Sequence, residues 1–267
     1  MNRSYVVAML AALPFCAAAV AATAPQYTLI DLGETDYIGQ GMIWGDRTIV
    51  DLPPTVPTPA PCTLGNHTFQ FDPVLMSGTS FISVGSGCTK NGSHAVKWTT
   101  TENVDGIVLT DVGVLPGAVI DSSTAIGANE VGDVVGHSAT AYTGPGETGE
   151  HAFLWNSGKM IDLGVIAGPH RNSRAVAVND SHEVIGVSDA ISSATGEILN
   201  RAFVYTNGTM YNLTFFTTGG PTALLEDARW IDCQGNIAVV GRPVSQPAIR
   251  HSYLLVRQGP LRTCRQF

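Results

Sequence analysis

The sequence predicts an all-β fold, a β-propeller of about five blades, and three observations predict it. A unit reading HAFLW…MIDLG…AVAVNDSHEVIG occupies residues 151–186 and recurs along the chain. Its spacing is regular: Asp111, Asp162 and Asn212 lie 51 and 50 residues apart, and Gly136 precedes Gly186 by 50. The unit is also split between the ends, because residues 27–33 (YTLIDLG) match its second strand and residues 251–256 (HSYLLV) its first. Pairing of the two fragments would close a ring and hide the free strand edges.

The first element along the chain is a targeting segment, residues 1–22. Arg3 supplies a positive start, residues 6–20 are apolar, and Ala19-Val20-Ala21 offers a small-x-small cleavage site. The apolar stretch, about 15 residues, is shorter than the roughly 20 needed to span a bilayer. Cleavage near Ala21 or Ala22 is therefore expected to release a secreted or periplasmic protein with no membrane anchor. Residues 23–267 are expected to form a single repeat domain.

Five copies fill that domain. Residues 27–51 combine with 251–256, and within them WGDRTIVD (44–51) fits the turn and fourth strand of a composite blade. Pro53, Pro54, Pro57, Pro59 and Pro61 then mark a stiff extended connection. Residues 67–92 make a degenerate copy, in which HTFQF (67–71) resembles the first strand and SFISVG (80–85) the last, with no Asp-Leu-Gly between. The regular copies follow at 94–138, 151–188 and 201–241. Without the degenerate copy the count is four, which is the alternative.

Within the copy that begins at His151, HAFLW is apolar on both faces, as a strand sandwiched between layers must be. MIDLG is the second strand. AVAVN places small Ala175 and Ala177 where a neighbouring sheet approaches, and Asn179-Asp180-Ser181-His182 turns into the last strand, EVIGVS. The earlier copy turns through Asn129-Glu130-Val131-Gly132, where Asn and Gly suit tight-turn dihedrals. With 29 glycines and 15 prolines the chain is rich in such turns.

Charge narrows the partners. With 14 Lys and Arg against 22 Asp and Glu, and no basic run, nucleic acid and anionic lipid surfaces are excluded as partners. Cys16 falls in the targeting segment, leaving Cys62, Cys88, Cys233 and Cys264. Four cysteines allow three connectivities. The local pairs Cys62–Cys88 and Cys233–Cys264 are favoured, as structural disulfides of an oxidising compartment.

At HAFLW, the following DLG and the Asn-x-x-Gly turn before VVG, the chain resembles the HAF-type extracellular repeat proteins of bacteria. The resemblance covers residues 27 to about 256. It implies a repeated scaffold and export, and it implies no reaction. Arg201 in place of the leading His, Asn212 in place of Asp, and the irregular region 51–92 depart from the pattern.

His67, His94, His151 and His251 share one repeat position, and Asp31, Asp111 and Asp162 share another. Recurrence at equivalent positions is the mark of residues that maintain a fold. The imidazoles are expected to satisfy backbone groups between blades, and the aspartates to accept N–H bonds in the turn after their strand. No catalytic residue, metal or cofactor is expected: there is no GxSxG elbow, no HExxH and no phosphate-binding glycine loop. The segments 139–150, 189–200 and 215–225 vary between copies and are expected to be loops that carry specificity. His170, Arg171, Asn172 and Arg174, a polar and partly cationic connection, are the candidate ligand contacts. The function expected is a binding or interaction module for a glycan or a cell-envelope protein. The alternative is a propeller-type extracellular polysaccharide hydrolase or lyase.

Overall fold

The computed structural model describes residues 24–34, 75–77, 80–88, 92–100, 108–144, 147–166, 172–191, 196–219, 222–262 and 264. The targeting segment, residues 44–51 and 67–71, Cys62, His67, His170 and Arg171 lie outside the described residues. Strand β1 spans Tyr27–Glu34. The strands β2 (Leu75–Ser77), β3 (Ser80–Cys88), β4 (Ser93–Thr100) and β5 (Val108–Gly113) form the first sheet, in chain order. The second contains β6 (Ser123–Ala128), β7 (Val134–Gly144), β8 (Glu147–Asn156) and β9 (Lys159–Gly164). The third contains β10 (Ser173–Val178), β11 (Val184–Ile191), β12 (Ile198–Thr206) and β13 (Thr209–Asn212). After a short 3-10 turn at Leu213–Phe215 come β14 (Thr217–Thr218), β15 (Ala223–Ile231), β16 (Ile237–Pro243) and β17 (His251–Arg257). These join β1 in a fourth sheet ordered β14-β1-β17-β16-β15. The fold is all-β, and neighbouring strands run antiparallel except for β1 and β14.

The two terminal fragments pair: Thr28 lies opposite Val256 and Leu29 opposite Leu255. The rest of that sheet is β14, β15 and β16, and the turn and strand expected at 44–51 lie outside the described residues. The frame of the repeat differs as well. HAFLW lies in β8, the third strand of its sheet, and MIDLG in β9, the fourth; AVAVN and EVIGVS open the next sheet as β10 and β11. A unit read from His151 therefore straddles two sheets, because the hairpin links β11 to β12 and the chain changes sheets after Asp-Leu-Gly. By the same shift SFISVG is the second strand, β3, of the sheet that holds HAVKW. The described residues form four sheets, and the degenerate copy contributes β2 and β3 to the first of them. The variable segment 139–150 is largely strand, and strands also take in 189–191 and 198–200, since the β7–β8 and β11–β12 hairpins extend to Gly144–Glu147 and Ile191–Ile198.

Successive sheets stack face to face, and their first strands pack together, β6 on β10 and β10 on β15. One apolar cluster fills each junction. Val84, Ala125 and Phe153 meet between the first and second sheets, Val135, Ala175 and Phe203 between the second and third, and Ile185, Leu225 and Tyr253 between the third and fourth. Phe153 and Phe203, the aromatic residues of two copies, are fully buried, each contributing about 1.5–3 kcal/mol. The glycine that recurs after 50 and then 55 residues has a steric cause. A Cβ on Gly136, Gly186 or Gly241 would stand 2.0, 2.0 or 2.4 Å from the carbonyl oxygen of Thr124, Arg174 or Leu224 on the facing strand. Each close approach lies beside a register shift in the first strand, between Ala125 and Gly127, Ala175 and Ala177, or Leu225 and Asp227.

Candidate functional site

The repeated histidines and aspartates meet each other. His94 Nδ1 lies 2.9 Å from Asp111 Oδ1, His151 Nδ1 2.9 Å from Asp162 Oδ1, and His251 Nδ1 2.8 Å from Asp31 Oδ1. The partner of each imidazole is a carboxylate on the adjoining strand of its own sheet rather than backbone between sheets. The Gly113 and Gly164 N–H groups donate to Asp111 and Asp162 at 2.8 and 2.7 Å, as those glycines turn through positive φ. The Ser123 and Ser173 hydroxyls then donate to the Gly113 and Gly164 carbonyls and accept from the Ala95 and Ala152 N–H groups. The His94–Asp111 and His151–Asp162 dyads are thus tied to the first strand of the next sheet. His94 differs in one respect: its Nε2 also reaches Asp121 at 2.6 Å. Burial would lower its pKa, but bonds to Asp121 and Asp111 prevail and raise it. At Asp162 burial is outweighed by His151 and the Gly164 N–H, and the pKa falls.

The tight turns at the opposite end of the sheets form a second ladder. Asn129 Nδ2 donates to the Asn179 carbonyl at 2.9 Å, and Asn179 Nδ2 to the Asp232 carbonyl at 3.0 Å. Buried carboxylates follow the first two turns. Asp133 accepts from Asn129 and Asn156 and contacts His182 Nδ1 at 2.5 Å. Glu183, 1% exposed, binds Arg257 and Arg262 and accepts from Asn179 at 3.0 Å. Arg262 belongs to the C-terminal tail, which Gln234 holds through the Arg262 carbonyl and N–H and which the Cys233–Cys264 disulfide fastens. This end of the molecule clamps the fourth sheet to the third. The expected Cys62–Cys88 bridge lies outside the described residues.

On β15, the first strand of the fourth sheet, the repeat breaks. Asp227 lies opposite Val240 where Gly127 lies opposite Val135 and Ala177 opposite Ile185, so a carboxylate stands where the other copies hold a glycine or an alanine. Strand β15 adds a second register shift, between Ala228 and Trp230, and Trp230 is half-exposed. Three guanidinium groups lie within ion-pair distance of Glu226 and Asp227, and two more act on them only through their charge. Arg242 Nε lies 3.0 Å and Arg250 Nε 3.7 Å from Glu226, Arg229 pairs with Asp227, Arg201 lies within the field of Glu226, and Arg174 within that of Asp227. Burial raises the Asp227 pKa despite Arg229, Arg174 and Arg250, and lowers that of Arg201 despite Glu226. Toward the second sheet, His137 faces Glu150 at 3.8 Å, and its pKa is lowered by burial and by Arg174, which outweigh Glu150.

The adjoining turn is altered too. Where the other copies read Asp-x-Gly, this one reads Asn212-Leu213-Thr214. Gly113 and Gly164 take φ of 81° and 72°, which threonine avoids. The chain forms the 3-10 turn instead, with Asn212 Oδ1 accepting the Thr214 N–H at 3.1 Å. The Leu225 N–H donates to the Thr214 hydroxyl at 3.1 Å, which anchors the turn to β15 beside Glu226. Phe216 packs edge-on against Tyr211, while Phe215 is 77% exposed.

Of the candidate contacts in the connection before β10, Asn172 bridges strands: its Oδ1 accepts the Glu150 N–H at 3.0 Å and its own N–H donates to Asp189 at 3.0 Å. Arg174 is exposed on β10. Glu226, Asp227, Arg229, Arg242 and Arg250 escaped sequence reasoning, whereas Phe215 opens the variable segment 215–225 expected to carry specificity. The signal was the mismatch of ALLEDARW with SRAVAV. Among the described residues no group of three or more His, Cys, Asp or Glu could hold a metal ion, and no helix is long and apolar enough to cross a membrane. The chain matches no family model, no curated protein and no solved structure.

Proposed function

We infer that the chain is an exported, HAF-type repeat protein whose sheets are the blades of a β-propeller, closed by the pairing of β1 with β17. It works as a binding module, toward a glycan or a cell-envelope protein, without covalent chemistry. The observation that supports this is the asymmetry of β15 against the first strands of the other sheets. A scaffold needs the same packing residues at every junction, yet here charged side chains replace small ones and a second bulge redirects β15. Departures of this kind from a regular framework are where ligand sites are found. The disulfide between Cys233 and Cys264 supports export to an oxidising compartment.

The test is a glycan array and a pull-down from envelope extracts, run beside a polysaccharide degradation assay. Binding without turnover is the expected result. Turnover abolished by Asp227→Asn would replace the module with a hydrolase or lyase.

A further inference from the structure

We propose that His94, Asp111 and Asp121 form a pH-controlled latch between the first and second sheets, closed while the imidazole carries two protons and opened when it loses one.

Proton counting is the first support. A neutral imidazole has one N–H and one lone pair, and an ionised carboxylate can only accept. Both ring nitrogens of His94 meet carboxylates: Nδ1 lies 2.9 Å from Asp111 Oδ1, and Nε2 lies 2.6 Å from Asp121 Oδ1. Both contacts are hydrogen bonds only if both nitrogens carry protons, so the closed arrangement calls for an imidazolium. The His94 side chain is 16% exposed and that of Asp121 28%, so the contact is screened less than a surface ion pair. Burial opposes the charge, but the bonds to Asp121 and Asp111 outweigh it and raise the pKa above its ordinary 6.5.

The repeat supplies the second support. The Nδ1 contact recurs in the pairs His151–Asp162 and His251–Asp31, and His151 Nε2 is buried with no hydrogen-bond partner. The second carboxylate is peculiar to one junction, because 50 and 100 residues beyond Asp121 the chain carries Arg171 and Pro221. The recurring contact also fixes which proton leaves. The N–H stays on Nδ1, shared with Asp111, and the Nε2 lone pair is left facing Asp121. Two acceptors at that distance repel, and Asp121 withdraws.

The third support is where Asp121 sits, in the connection that leads into β6. Its carbonyl accepts the Ser93 N–H at 3.0 Å, Ser93 bridges to Ser122, and the Ala95 N–H donates to the Ser123 hydroxyl at 2.7 Å. Residues 93–95 and 121–123 thus make one seam, packed so closely that a Cβ on Gly92 would stand 1.7 Å from the Asp121 carbonyl oxygen. Asp121 cannot move without the seam. Among the described residues, no other element brings charge to the ring: β3 pairs Gly87 with His94 and Cys88 with Ser93, β6 brings Ser123, His137 on β7 is directed at Glu150, and Lys97 reaches away to the Gly132 carbonyl. The latch is therefore fully closed below pH 6.5 and opens as pH rises through the folded value.

The experiment is amide hydrogen exchange of the full protein over a pH series rising through 6.5, comparing Ala95 with Ala152. Each follows a histidine and donates to a seam serine, so their intrinsic exchange matches and the ratio of their protection isolates the latch. Protection at Ala95 relative to Ala152 should fall about ten- to a hundredfold across the His94 transition, the loss of one charge-assisted bond. Nitrogen spectra of the ring should show both His94 nitrogens protonated on the acid side and Nε2 losing its proton as the ratio falls. Asp121→Asn supplies an amide that accepts from a protonated Nε2 and donates to a bare one, so it should hold the seam closed and abolish the pH dependence. Asp121→Ala should lower the ratio on the acid side to the alkaline level of the parent. A flat ratio in the parent, a bare Nε2 while the seam is closed, or a pH dependence that survives Asp121→Asn would each overturn the latch. Thermal melts within a few degrees of the parent show that the variants fold, and the parent's own ratio and ring spectrum decide the matter if one does not.

Discussion

Replacing Glu183 by Gln tests the clamp between the third and fourth sheets. The carboxylate is 1% exposed and meets two guanidinium groups whose side chains are 22% and 26% exposed. Glutamine keeps the shape and removes the charge, leaving Arg257 and Arg262 facing a neutral amide. Breaking a buried pair by removing one partner costs about 3–5 kcal/mol. Both arginines retain some contact with water, which screens the loss, so the lower end, about 3 kcal/mol, is expected. For a chain of this size about 2–4 °C of Tm accompanies each kcal/mol, giving a fall of about 6–12 °C. Acid adds an independent readout. Burial alone would raise the Glu183 pKa, but bonds from Arg262, Asn179 and Arg257 hold it below its ordinary 4.5. A depressed carboxylate stabilises the fold above its unfolded pKa, and that contribution disappears as pH falls through the folded value. Denaturant titrations should therefore show the two proteins converging as pH drops below about 4.5. A variant within about 0.5 kcal/mol of the parent at neutral pH, with an unchanged acid limb, would refute the reasoning.

Three further outcomes follow from the same geometry. Gly186→Ala puts a Cβ 2.0 Å from the Arg174 carbonyl and 2.8 Å from Phe203, so it should lose at least about 3 kcal/mol; Gly158→Ala, with open space but φ of 83°, should lose about 1 kcal/mol, and equal losses in urea melts would contradict the steric account. Cys264→Ser opens a loop with a sequence separation of 31 and should lower stability by about 3–4 kcal/mol, non-additively with Glu183→Gln because both release the tail; strict additivity would show that the disulfide and the ion pairs act apart. His94, its pKa raised by Asp121 and Asp111, stabilises fully below its ordinary 6.5 and loses that contribution as pH rises through the folded value. The stability difference between the parent and His94→Gln should therefore shrink as pH rises above about 6.5, and a flat difference would remove the claim.

The period was legible because it is a packing code. Phe153 and Phe203 fill equivalent junctions, and Gly136 and Gly186 admit no side chain, so the residues that carry the signal are the ones geometry forbids to vary. The frame was not legible, since a periodic pattern has no origin. Nothing in HAFLW or AVAVN says which begins a sheet, and only the β11–β12 hairpin decides it. The terminal pairing was readable from β1 and β17 because each fragment lacks the partner the other supplies. The arginine group was harder to see. Its members, Arg229, Arg242 and Arg250, come from β15, β16 and the residue before β17, and meet only once that sheet has formed. Arg201 and Asn212 were visible as departures, while the two bulges that bring Asp227 and Arg229 into place leave no mark except a failed alignment.

The pairing of β1 with β17 joins residues 220 positions apart, as in the contact of Asp31 with His251. The strand made first is therefore among the last to find its neighbour, and it must wait while the intervening sheets assemble. Closing so long a loop is unfavourable until those sheets hold the ends near each other. A chain that completes its last sheet only when its final strand is present is slow to reach its finished state. Truncating it before β17 would strand β1 as an unpaired edge, open to joining another copy.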